Sequence, residues 1–266
     1  MAGALVLGSG GVAGIAWTTG VLAGLADQGV DVTGADVLIG TSAGSTVAAQ
    51  VASGLPIEEL YRRQADPAAQ NRELVPAASV AELMATLLKL VERYPDRAEL
   101  RRKVGELALA ADTVPEAERR AVIEGRLPVH EWPDRDLRIV AVETVTGDPV
   151  VFDRHSGVPL VDAVAASCAV PGIWPPVTIR DARYMDGGIR SVGNADLAAG
   201  ADRVLVIAPM ADPTLERDVA GLPDAQVVKP DRASVAAFGA DPLDSSTRTP
   251  AAEAGRAQGR AAAVRW

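Results

Sequence analysis

The apolar run Val37-Leu38-Ile39 leads directly into Gly40-Thr41-Ser42-Ala43-Gly44. A G-x-S-x-G turn between a strand and a helix lifts the serine hydroxyl above the sheet. The crowding of such a turn favours residues without Cβ two positions to either side. The helix after it can begin at Ala43 and carry Ala48, Ala49, Val51 and Ala52. Its N-terminal amides would then point toward the serine and favour developing negative charge. Five residues alone also admit a glycine-rich turn without chemistry, so the rest of the chain has to decide.

The 266 residues are 48% hydrophobic, enough for one large α/β domain with a substantial core. Aromatics make up only 3%, so that core rests on Ala, Val, Leu and Ile. A net charge of −9 argues against a nucleic-acid partner and against stable electrostatic docking on anionic lipid. Arg101-Arg102-Lys103 and Arg119-Arg120 lie among acids and read as solvated helix faces. Cys168 is the only cysteine, which excludes an intrachain disulfide, fits a reducing, cytoplasmic compartment and reads as an inert buried thiol. Residues 1–25 are apolar, but no basic residue precedes Arg62, so they read as strand, turn and helix of the fold and not as a secretion signal.

Along the chain, Ala4–Leu7 reads as a strand, Gly8–Gly14 as a turn and Ile15–Gln28 as a helix. Residues 56–127 form a helical insertion. Within it Val80, Leu83, Met84, Leu87, Leu88 and Val91 make one apolar stripe, read as core packing with a substrate cover as the alternative. Strands are expected at Leu137–Glu143, Pro149–Phe152, Val177–Ile179 and Arg203–Ala208, with a helix at Pro159–Ala169. Residues 211–266 are polar and Pro/Ala-rich, ending in a helix-prone tail from Ala251 to Val264. The alternation of strands and helices argues a mostly parallel sheet covered on both faces.

Gly8-Ser9-Gly10-Gly11-Val12-Ala13-Gly14 offers converging amides with no side chains in the way. It could bind a dinucleotide, with Asp27 or Asp31 near the position of a ribose-binding acid. It could equally serve Ser42 as an oxyanion hole, and the G-x-S-x-G one strand later favours this use. The serine then needs a base. His130 and His155 are the only histidines, and both sit in loop-like stretches that read as solvated. Asp186, in Asp186-Gly187-Gly188, is the better candidate, while His155 in an ordinary triad stays open as a rival.

In this order the three motifs resemble those of the patatin-like phospholipases, and Ala165–Val177 is similar to the segment that precedes the family's aspartate. The likeness spans about residues 4–210. It implies a three-layer α/β/α fold with a mostly parallel central sheet and a single domain over residues 1–266. It also implies a lipid acyl hydrolase that uses no cofactor and no metal. Ser42 would be the nucleophile, Asp186 its base, and the amides of Gly10, Gly11 and Val12 the oxyanion hole. Gly8, Gly14, Gly40, Gly44, Gly187 and Gly188 would support the motifs. The implied partner is a lipid or other acyl ester, met in transient contact with a membrane surface. Two departures stand out: Ser9 and Ala13 replace a glycine and a basic residue of the family loop, and Gly188–Asn194 departs from the usual N-x-P ending. A catalytically weak lipid-binding module is the reading these departures leave open.

Overall fold

The computed structural model describes residues 2–266. Its strands are β1 (Gly3–Leu7), β2 (Val37–Thr41), β3 (Asp136–Glu143), β4 (Pro149–Phe152), β5 (Val177–Ile179), β6 (Ala182–Asp186), β7 (Arg203–Ile207) and β8 (Ala225–Val228). All join one mixed sheet. β1 is central, with β2 and β7 as parallel neighbours; β3 continues the parallel set beyond β2, and β8 beyond β7. β4 and β6 run antiparallel to β3, and β5 antiparallel to β6.

The helices are α1 (Gly11–Asp27), α2 (Ala43–Ala52), α3 (Ile57–Ala65), α4 (Val80–Arg93), α5 (Arg97–Ala110), α6 (Glu116–Arg126), α7 (Leu160–Ser167), α8 (Leu215–Val219), α9 (Arg232–Ala237) and α10 (Arg248–Ala261). Period-two alternation divides the strand residues between the two faces. Leu5, Leu7, Leu38, Ile139 and Leu205 meet α1, α2, α7 and α10 in the main core. Val6, Ile39, Val140, Val204 and Val206 face a thinner layer that includes Ala195, Ala198 and Leu215. Burial on both faces explains why the parallel strands read as unbroken apolar runs.

β3 holds the key to the topology. Ile139 and Val140 pair with β2 and with β4, whereas Ala141 and Val142 pair with β4 and with β6. A strand has only two edges, so β2 and β6 share one of them, end to end. Thr41 is opposite Val140, and Asp186 is opposite Ala141.

Several expectations need correction. α1 starts at Gly11, not Ile15, so the glycine loop is shorter than its sequence reads. Its glycines answer to close packing: a Cβ on Gly10 would lie 2.7 Å from Pro209, and one on Gly11 2.7 Å from the Pro242 carbonyl oxygen. The stripe on α4 is not all core. Leu83 is buried, but Met84, Leu88 and Val91 face outward. Arg119 is buried and stacks 3.9 Å over the Trp174 ring, instead of lying on a solvated face. The polar segment after Pro209 adds β8 to the sheet. It then lays α10 along α1, where Gly20, Gly24, Gly255 and Gly259 bring the two helix backbones into contact and leave no room for Cβ atoms.

Candidate active site

Ser42 follows β2 directly and adopts φ 54°, ψ −121°, a conformation that a residue with a Cβ rarely takes. Such strain, of order 1–3 kcal/mol, persists only where the surroundings over-determine it. Here they do. A Cβ on Gly40 would lie 2.5 Å from the Ser45 Cα, and one on Gly44 would overlap the Leu7 carbonyl. The Gly44 amide donates to the Gly8 carbonyl at 3.1 Å, pinning the start of α2 to the end of β1. Beneath the turn, the Ser42 amide donates to Ser167 Oγ at 2.9 Å. The Ser42 carbonyl accepts from Ser45 Oγ at 2.6 Å and from Cys168 Sγ at 3.2 Å. Ser167 and Cys168 thus clamp the main chain of the turn from the C-terminal end of α7.

Asp186 ends β6 on the edge of β3 that β2 has just left. Its amide donates to the Ala169 carbonyl at 3.0 Å, and its Oδ1 accepts from the Gly188 amide at 2.7 Å. Oδ2 is buried without a hydrogen-bond partner. Burial pushes the carboxyl up from its ordinary 3.8 to about 6, against the opposing pull of the Ser42 hydroxyl and the Gly188 amide. The Ser42 hydroxyl is near enough to act on the carboxyl, yet no hydrogen bond joins it to Oδ2. Ser42 and Asp186 are only 6% and 4% exposed, so both sit out of bulk water.

The amides of the glycine loop divide into engaged and free. Gly8 donates to the Ile207 carbonyl and Ser9 to that of Val192, both at 3.0 Å. Ala13 donates to the Pro242 carbonyl at 3.0 Å and Gly14 to that of Gly10 at 2.8 Å. The Gly10, Gly11 and Val12 amides have no partner among the described residues. Ser9 packs toward the aspartate motif: its Oγ donates to the Val192 carbonyl at 3.1 Å, and a Cβ on Gly188 would lie 2.9 Å from that Oγ. Gly187 has to be glycine because a Cβ there would overlap the Val140 carbonyl.

The rival residues lie elsewhere. His130 and His155 are exposed on loops, whereas Ser42 and Asp186 are buried. Asp27 is engaged by Arg256 and Arg260 on α10, which hold its carboxyl down at about 2. Asp31 accepts from the Thr33 amide and hydroxyl. Among the described residues, no group of three or more His, Cys, Asp and Glu could hold a metal ion, and no helix is long and apolar enough to cross a membrane. Sequence reasoning missed the clamp formed by Ser167 and Cys168. Their place in the stretch preceding the aspartate was the available signal.

A strained serine turn between the end of a parallel strand and the start of a helix, on an open α/β sheet, has the backbone form of a nucleophile-elbow turn. The chain belongs to the patatin-like phospholipase family, whose model matches residues 5–199. No curated protein matches it. Among solved structures it is similar to VipD from Legionella pneumophila, with 14% identity and a TM-score of 0.41 over 89% of this chain and 53% of that one. It is also similar to the type III effector protein ExoU, with 18% identity and a TM-score of 0.44 over 97% of this chain and 52% of that one. The chain therefore spans about half the length of these two proteins.

Proposed function

We propose that this chain hydrolyses carboxylic ester bonds of lipids through a Ser42–Asp186 dyad. The observation that carries this reading is the buried, unpartnered Asp186 Oδ2 beside the Ser42 hydroxyl, on a carboxyl whose pKa of about 6 suits a base near neutral pH. In the first half-reaction Asp186 takes the Ser42 proton as Oγ bonds to the acyl carbon, and the carbonyl electrons move onto oxygen. The Gly10, Gly11 and Val12 amides receive that oxyanion, aided by the N-terminus of α2. Collapse breaks the bond to the alcohol, which leaves with the proton from Asp186. Water then gives a proton to Asp186 and attacks the acyl-serine. Ser42 Oγ departs and recovers the proton.

The family points to glycerolipid or lysolipid esters. Contact with the lipid surface is transient in this reading, made by the outward apolar residues of α4, because a net charge of −9 opposes durable docking on anionic lipid. The lone cysteine, buried as a thiol, fits the cytoplasm.

Fluorophosphonate labelling with peptide mapping tests the dyad. Label should appear on Ser42, vanish in Ser42→Ala and form far more slowly in Asp186→Asn. Turnover that survives Ser42→Ala would sink the proposal.

A further inference from the structure

Asn194 is fully buried, and its side chain reaches the ends of both strands that carry the proposed dyad. Its Nδ2 donates to Thr41 Oγ1 at 3.0 Å, to the Gly187 carbonyl at 3.3 Å and to the Ser191 carbonyl at 2.7 Å. Thr41 is the residue before Ser42, and Gly187 is the residue after Asp186. Two hydrogens thus serve three acceptors, with the longest contact shared.

The orientation of this amide is not arbitrary. Arg190 Nη1 donates to Asn194 Oδ1 at 2.6 Å, and a guanidinium has no acceptor, so Oδ1 must face it and Nδ2 must face the strands. Arg190 is itself held by Asp196 through Nη1 at 2.9 Å and Nη2 at 2.5 Å. The backbone is equally committed. Asn194 sits at φ 52°, ψ 36°, the left-handed region that asparagine tolerates better than most residues, and its amide donates to Ser191 Oγ at 3.1 Å. A strained backbone, complete burial and an oriented amide converge on one link between β2 and β6.

Backbone pairing supplies no such link. β2 and β6 lie end to end along one edge of β3, so they do not pair with each other. We propose that Asn194 is a positioning residue that sets the separation of Ser42 and Asp186 by tying Thr41 to Gly187; this rests on the dyad reading above. Reaction geometry is steep in such separations: displacement of about 1 Å can cost about a hundredfold in rate.

Two variants sever the link from opposite ends. Thr41→Val is isosteric, removes the acceptor on β2 and leaves Nδ2 with two carbonyls. Asn194→Gly keeps the left-handed backbone and removes the amide altogether. The full chain would be assayed with a soluble p-nitrophenyl ester and with a fluorophosphonate, at a temperature where circular dichroism shows every variant folded. Each variant should lose about tenfold or more in kcat and in labelling rate, with KM within about twofold of wild type. The double variant should be little worse than the poorer single one, because both break the same link. Folded variants that label Ser42 at the wild-type rate would overturn the positioning role and leave the dyad standing. A wild-type chain that takes no label on Ser42 would overturn both.

Discussion

Replacing Asp186 by Asn should abolish activity and make the protein more stable at neutral pH. The burial that raises this carboxyl from 3.8 to about 6 is an energetic cost borne by the folded state whenever the group is ionised. At about 1.4 kcal/mol per pH unit, that rise corresponds to about 3 kcal/mol. The sign follows from linkage. The folded chain holds the Asp186 proton more tightly than the unfolded chain, so this group's contribution is full below pH 3.8 and is lost as pH rises through about 6. Asparagine never ionises, and its Oδ1 can still accept from the Gly188 amide. The variant should therefore exceed wild type by up to about 3 kcal/mol at pH 8, and the difference should close by pH 4. In a chain of this size, that is a Tm rise of about 2–4 °C for each kcal/mol. Urea unfolding of both proteins at pH 4, 6 and 8 isolates the effect, because all other carboxylates cancel in the difference. In parallel, wild-type kcat/KM should fall about tenfold per pH unit below about 6. An Asp186→Asn protein no more stable than wild type at pH 8 would contradict the burial cost, and one that keeps wild-type turnover would contradict Asp186 as the base.

Glu73 faces two buried arginines: it accepts from Arg126 at 3.0 and 2.6 Å, and Arg119 Nη1 lies 3.8 Å away. Glu73→Gln strands both cations and should cost about 3–5 kcal/mol in urea unfolding; a loss below about 1 kcal/mol would contradict the ion cluster. Gly44→Ala forces a Cβ onto the Leu7 carbonyl and should abolish the soluble folded protein. Gly125→Ala, in α6 with open space around it, should stabilise by about 0.5–1 kcal/mol in thermal melts. Leu88→Asp places a charge on the outward face of α4. It should lower turnover of vesicle lipid several-fold while sparing a monomeric soluble ester, and equal losses on both would count against α4 as the lipid-facing surface.

What the sequence made legible follows from two-sided burial. β1, β2, β3 and β7 are covered on both faces, and each appears as an apolar run. β8 has only Val228 buried and lies at the sheet edge, so Ala225–Val228 carries no such run and went unread. The stripe on α4 was visible by its spacing, but spacing does not tell a core face from an outward one, and half of it points to solvent. Arg119 shows the converse. A charged residue among acids reads as solvated, yet the Trp174 ring and Glu73 hold it inside. The three motifs were readable because the turns they build exclude side chains for local reasons. Asn194 was not, because its partners Thr41 and Gly187 are 153 and 7 residues away and only the folded sheet brings them together.

The edge shared by β2 and β6 also explains why the aspartate motif demands glycine after the acid. β3 changes partner between Val140 and Ala141, from a parallel strand to an antiparallel one, and the two candidate catalytic residues fall on either side of that change. Gly187 crosses directly over the Val140 carbonyl, where no Cβ fits. A slip of one residue in the β3–β6 register would move Asp186 to the opposite face of the sheet and set Met185, now fully buried, in its place. The glycine therefore guards the register, and the register places the carboxylate proposed as base. On this reasoning Gly187→Ala should cost activity even where folding survives, because the carbonyl can be cleared only by moving the strand that carries Asp186.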